Sequence, residues 1–158
     1  MDLLIIRHAI AEDPRIDLPD SARALTEDGK KKFFRCARGL ESLDLRLHRI
    51  LHSPLLRAVQ TAELLSPLLR PDGETAVCHE LAEPPGPALL GKLDFACVSV
   101  VGHEPWMGEL VAWLLTGRKD MGPSFPMKRG GVAWLEGEPR PGGMSMKALL
   151  PPSVLRGL

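Results

Sequence analysis

The sequence predicts an α/β fold, with a mostly parallel central sheet flanked by helices. Three observations point to it. The chain opens on a wholly apolar run, Leu3-Leu4-Ile5-Ile6, cut off by Arg7-His8. A second apolar run, Val98-Ser99-Val100-Val101, ends in Gly102-His103. Amphipathic stretches alternate with such runs. Strands that are apolar on both faces need cover on both sides, and helices crossing over a parallel sheet supply it.

Taken in order, a strand is expected over 2–7. Ala11–Ala24 is charged and Pro-containing, which reads as a loop hanging over the end of that strand. Thr26 can cap a helix over 27–42, with Glu27 and Asp28 in its first turn. A strand over 48–52 leads to Ser53-Pro54, an N-cap with Pro at the first helical position, and a helix over 54–69. A strand over 76–80, a short helix near 87–92 and a strand over 96–101 follow. Glu104-Pro105 opens a helix over 105–116, with Pro105 at its first position and Gly117 closing it. Its apolar positions Met107, Leu110, Val111 and Leu114 share one face. Gly122–Gly131 is a connection. Gly137–Gly143 joins strands over 131–136 and 144–149 as a hairpin.

The 158 residues are expected to form a single domain over 1–158. Formal net charge is zero, so no global field favours nucleic acid or an anionic membrane, although a local basic pocket is compatible with it. Asp2 is followed at once by strand residues, with no basic n-region or cleavage site. Val98–Val101 and Leu110–Leu115 are too short to span a bilayer. The expected setting is cytoplasmic. Cys36, Cys78 and Cys97 are odd in number and lack ligand spacing, so they read as reduced, buried thiols.

Three segments are expected to share one plan: an apolar strand, a turn carrying His or Arg, then a helix. Arg7 and His8 sit at the first strand tip. Arg57 lies one turn inside the second helix, near its positive end, where a cation is unfavourable unless it serves an anion. His103 precedes a helix start, whose free N–H groups attract anions. Taken singly, Arg57 also reads as a surface arginine and His103 as a cap. Together, two Arg and two His at the carboxyl edge of one sheet describe a phosphate pocket, with Ser53 as a further substrate-binding candidate. His48 reads as exposed, His52 as a neighbour of the site, and His79 lies beside Glu80. None has metal-ligand spacing, so no metal is expected.

These motifs resemble the histidine phosphatase superfamily, also called phosphoglycerate mutase-like. They are Arg7-His8, Ser53-Pro54-Leu55-Leu56-Arg57-Ala58-Val59-Gln60-Thr61 and Val101-Gly102-His103-Glu104-Pro105. Within it, Arg23-Ala24-Leu25-Thr26-Glu27-Asp28-Gly29, Leu150-Pro151-Pro152 and the short chain are most similar to the SixA-type phosphohistidine phosphatases. Two features depart from the pattern. Ala9 stands where the superfamily usually has Gly, and the stretch between Glu80 and Phe95 is short, which implies a nearly lost helix and a more open pocket.

The resemblance implies that His8 is the nucleophile and forms a phosphohistidine enzyme that water hydrolyses. Arg7 and Arg57 would hold the phosphoryl oxygens with planar forks, and His103, if protonated, would donate to another. These protein cations leave no need for a cofactor. Glu80 is the first candidate for a general acid and Glu83 the second; a purely structural Glu80 is the alternative. The implied substrate is a phosphorylated protein bearing phosphohistidine. The rivals are a small phosphoester, such as a sugar phosphate or nucleotide, and a non-catalytic phospholigand-binding protein. A monomer or weak dimer is expected.

Overall fold

The computed structural model describes residues 1–158. Its elements are β1 (Asp2–Arg7), α1 (Glu27–Glu41), β2 (Leu47–His52), α2 (Leu56–Leu64), β3 (Leu69–Val77), α3 (Pro87–Leu90), β4 (Cys97–Gly102), α4 (Trp106–Thr116), β5 (Val132–Gly137), β6 (Met144–Leu150) and α5 (Pro152–Leu155). One six-stranded sheet runs in the order β3-β2-β4-β1-β5-β6. The β1–β4, β2–β4 and β2–β3 pairs are parallel; β1–β5 and β5–β6 are antiparallel. The expected α/β class and mostly parallel sheet are therefore present. No helix is long and apolar enough to cross a membrane.

Alternation along β1 divides the core. Leu4 and Ile6 pack on one face with Phe33, Leu40, Ala58 and Ala62 of α1 and α2. Leu3 and Ile5 pack on the other with Met107, Leu110, Val111 and Leu114 of α4. All four residues of the run are fully buried. Each contributes about 1.5–3 kcal/mol of hydrophobic stabilisation, enough to fix the strand that carries Arg7 and His8.

Helix ends follow local chemistry. Thr26 Oγ1 accepts the Gly29 N–H at 2.9 Å, as a cap should. A Cβ on Gly29 would lie 2.1 Å from the Ile10 carbonyl oxygen, so only glycine lets α1 pass this close to the loop. Gly117 closes α4 at φ +77°, a left-handed cap.

Four expectations need correction. The helix expected over 54–69 covers only Leu56–Leu64; a 3-10 turn at Ser66–Leu68 and the start of β3 take the rest. Pro67 lacks an N–H and disfavours helix at the residue before it, while Leu65 and Leu68 keep the apolar spacing by burying from a turn. The N-cap of α2 is Leu55 rather than Ser53, and that of α4 is Pro105 itself, not its predecessor. The strand expected over 76–80 is Leu69–Val77, a polar edge strand, and His79–Ala82 is a 3-10 turn. An edge strand pairs on one side only and tolerates Pro71, Asp72 and Gly73. The 3-10 turn Lys119–Ser124 and the short α5 were not anticipated. The segment between Glu80 and Phe95 holds only single helical turns.

Candidate active site

β1 and β4 are neighbours in parallel register, Arg7 opposite Gly102. Their tips therefore meet, and the His8 N–H donates to the Gly102 carbonyl at 3.0 Å. This brings the His8 and His103 rings to 5.1 Å between centroids. The next strand, β2, is followed by Ser53, whose Oγ lies 2.8 Å from His103 Nε2. The helix after it places Arg57 in its first turn. His8, Ser53, Arg57 and His103 are all buried. His52, at the end of β2, is buried too and bonds through Nδ1 to the Ser53 carbonyl at 2.9 Å.

The protonation pattern of His8 follows from its partner. Nδ1 lies 2.7 Å from the Ala9 carbonyl oxygen, which can only accept, so Nδ1 carries the proton. Nε2 keeps its lone pair. Burial holds the His8 pKa down to about 3; the Ala9 bond opposes this, while His103, Arg57 and Arg7 assist it. The ring is a neutral nucleophile at neutral pH. Burial likewise lowers His103 to about 4, aided by Arg57 and opposed by Asp20. In the free protein His103 is thus neutral; a phosphate dianion beside it would favour the charged form that donates to phosphate.

The two arginines are held by different parts of the chain. Arg7 Nη1 donates to the Met127 carbonyl at 2.7 Å. Arg57 donates to the Asp20 carbonyl at 2.8 Å and to its carboxylate at 2.9 Å. The loop expected to hang over the site does so through this contact. Arg7 Nε, Arg57 Nε and His103 Nδ1 are buried and have no hydrogen-bond partner, half of the six such side-chain atoms in the protein. Buried donors without acceptors are costly. Arg7 Nε and Arg57 Nε are donors of that kind; His103 Nδ1 is a third unpartnered ring nitrogen, so the three atoms belong to three of the four residues singled out as an anion pocket.

Positioning residues escaped the sequence reading. Thr61 Oγ1 donates to the Arg57 carbonyl at 2.6 Å and accepts the Ala9 N–H at 3.1 Å, tying α2 to the β1 tip. Gln60 accepts the Leu25 N–H at 2.7 Å and anchors the loop. Glu104 accepts from Met127 N at 2.9 Å and Gly108 N at 3.3 Å. It therefore fixes the segment whose carbonyl holds Arg7. The i, i+4 spacing of Arg57 and Thr61 was a usable signal. The distant bonds had none.

Other candidates lie apart from this centre. Glu80 bonds to Lys92 at 2.8 Å and accepts from the Cys78 thiol at 3.3 Å. Lys92 above all holds its carboxyl down to about 2, which suits a permanent anion rather than a proton donor. Glu83 and His79 are exposed, and His48 is half-buried within β2 rather than exposed before it. No group of three or more His, Cys, Asp or Glu side chains is placed to hold a metal. The three cysteines are free and buried, and burial raises Cys36, with Cys78 and Cys97 at about 11. Such thiols are poor nucleophiles.

Comparison with known proteins places the chain in a family. The family model "Histidine phosphatase superfamily (branch 1)" matches residues 3–85. The phosphohistidine phosphatase SixA of Escherichia coli is 32% identical over 125 residues, covering 74% of this chain and 76% of its own. A Picosynechococcus protein described only as uncharacterized is 35% identical over 144 residues, covering 85% and 84%. A solved structure of the protein histidine phosphatase SixA complexed with tungstate matches at a TM-score of 0.80 and 28% identity, covering 97% of this chain and 98% of that one. With a phosphoglycerate mutase-like sheet and these matches, the chain belongs to the histidine phosphatase superfamily and, within it, to the SixA-type phosphatases.

Proposed function

We propose that the protein removes phosphate from protein phosphohistidine through a phosphohistidine intermediate on His8. One observation carries this reading. A neutral imidazole with a free Nε2 shares a centre with two arginines whose Nε donors lack acceptors and with His103, whose Nδ1 has no partner. That is the complement of a phosphoryl group: a nucleophile on one side and donors for its equatorial oxygens around it.

His8 Nε2 attacks phosphorus in line as the bond from phosphorus to the substrate imidazole breaks. The departing imidazole leaves as a neutral ring by taking one proton from solvent, which the attacking water returns in the next step. Water then attacks the phosphorus, the bond to Nε2 breaks, and inorganic phosphate departs. Arg7 and Arg57 stabilise the spread negative charge with planar forks. Ser53 orients His103. Glu80 is left out of the sequence, because imidazole is a good leaving group and the Glu80 carboxylate is tied to Lys92. The small size of the 80–95 segment supports a substrate as large as a protein, since only single turns border that side.

The test is trapping of the intermediate. A phosphohistidine protein given to the enzyme should transfer label to His8, lost in acid and stable in alkali. His8→Ala should remove both label and turnover while keeping the fold. An acid-stable phosphoenzyme, or an active His8→Ala, would overturn the mechanism. A sugar phosphate or nucleotide turned over much faster than any phosphohistidine protein would overturn the substrate class.

A further inference from the structure

A groove of about 460 Å³ opens beside Arg7, on the flank away from Glu104. It is lined by Arg7, Lys32, Lys128, Arg129 and Arg156, and by no carboxylate. The protein has no net charge, so this concentration is local. Of its twenty Lys and Arg residues, eight make no ion pair, and four of those eight line this groove. Lys32 alone among the five has an acidic partner, Asp28 at 2.7 Å.

The cations are held in register with the catalytic tip. The Gly130 N–H donates to the carbonyls of both Arg7 and His8, at 3.0 and 3.1 Å. The Lys128-Arg129 turn is therefore pinned one residue from that contact. Arg7 already bears the repulsion: burial lowers its pKa, Glu104 opposes this, and Arg129 adds to it. Lys128 and Arg129 are exposed, while the phosphate donors at His103 and Arg57 are buried. Exposed cations on two separate segments, Lys32 and Lys128-Arg129, joined by half-buried Arg156 from a third, suit an extended anionic chain more than one compact small molecule.

We propose that this basic groove docks an acidic stretch of the phosphoprotein substrate, next to its phosphohistidine. The proposal rests on the phosphohistidine reading above and adds the sign of charge that flanks the target. Charge complementarity of this kind sets orientation and encounter rate as well as affinity.

Two phosphohistidine peptides of equal length test it, one flanked by Glu and one by Gln. Wild-type kcat/KM should favour the Glu peptide roughly tenfold, mainly through KM, with the preference falling at high salt. In Lys128→Gln/Arg129→Gln, and separately in Arg156→Gln, the ratio between peptides should fall toward one. A ratio needs no assumption about the variants' absolute activity. Equal wild-type rates for the two peptides, or a preference unchanged in both variants, would overturn the groove. If neither peptide is hydrolysed, the phosphohistidine reading fails by itself. Hexaglutamate inhibition of p-nitrophenyl phosphate turnover then still decides the groove: inhibition lost in the variants supports it, and no inhibition of wild type sinks it. A sugar bisphosphate whose turnover depends on Lys128 and Arg129 when hexaglutamate inhibition does not would also overturn it.

Discussion

Arg57 directs two of its N–H groups at Asp20: one to its carbonyl oxygen at 2.8 Å, one to its carboxylate at 2.9 Å. Asp20 lies 37 residues earlier, in the loop that covers the sheet edge. The carboxylate takes a position that a phosphoryl oxygen could take. Arg23 grips the same Asp20 at 2.8 Å and the Glu12 carbonyl at 2.8 Å, so the loop is drawn onto Arg57 from both sides.

The first prediction follows from that competition. Asp20→Asn keeps the shape and the backbone carbonyl bond but removes the rival charge. Vanadate, which can adopt the geometry of the transferring phosphoryl group, should inhibit Asp20→Asn roughly three- to tenfold more tightly than wild type. Vanadate Ki values for the two proteins check this. Weaker inhibition would mean that Asp20 aims Arg57 rather than competing for it.

A second prediction concerns the fork itself. Arg57→Lys keeps the charge but loses the planar donors. Each charge-assisted bond lost in the transition state costs about 1.5–3 kcal/mol, so kcat/KM should fall roughly ten- to a hundredfold. Arg7→Lys should behave in the same way. Arg118→Lys is the control: Arg118 is exposed and paired with exposed Asp120 at 2.6 Å, so it should change little. Near-wild-type kcat/KM for Arg57→Lys would remove Arg57 from the site.

How legible all this was depended on burial and periodicity. β1 and the buried face of α4 could be read directly, because Leu3–Ile6 and Met107, Leu110, Val111 and Leu114 carry the pattern of the surfaces they cover. β3 could not, because an edge strand containing Pro71, Asp72 and Gly73 has no apolar run to read. Arg7, His8 and His103 stood out because reactive side chains end two apolar runs, and Arg57 because a cation stands near a helix N-terminus. Asp20, Thr61 and Glu104 were not, since each acts through a bond to a residue far away in sequence or to a backbone group. Two of the groove cations, Lys128 and Arg129, sit in a connection with no periodicity. They meet Arg7, Lys32 and Arg156 only in the folded chain.

Glu80 offers a third prediction. A general acid must hold a proton near the working pH, whereas Lys92 keeps Glu80 at about 2. Glu80→Gln should therefore leave kcat on an imidazole-leaving substrate within about threefold of wild type. The basic limb of its pH profile should not move. A loss of a hundredfold, rescued by substrates with better leaving groups, would restore Glu80 as the acid.

The last prediction is a pH dependence of stability. His8 and His103 have folded pKa values of about 3 and about 4, against 6.5 for the unfolded chain. Above pH 6.5 both states hold these rings neutral, and the full stability is present. As pH falls below 6.5 the unfolded chain binds protons that the folded rings refuse, so unfolding is favoured. The loss continues until the folded rings protonate, near pH 4 for His103 and near pH 3 for His8. Within the window between pH 6.5 and 4, each ring contributes a slope of up to ~1.4 kcal/mol per pH unit. Urea unfolding at pH 7, 6 and 5 should show that slope in wild type. His8→Gln/His103→Gln should show a shallower one, each protein being referred to its own stability at pH 7. NMR titration of the ring protons gives the direct check: both should stay neutral at pH 5.5, and a ring titrating near 6.5 would contradict the buried, neutral nucleophile.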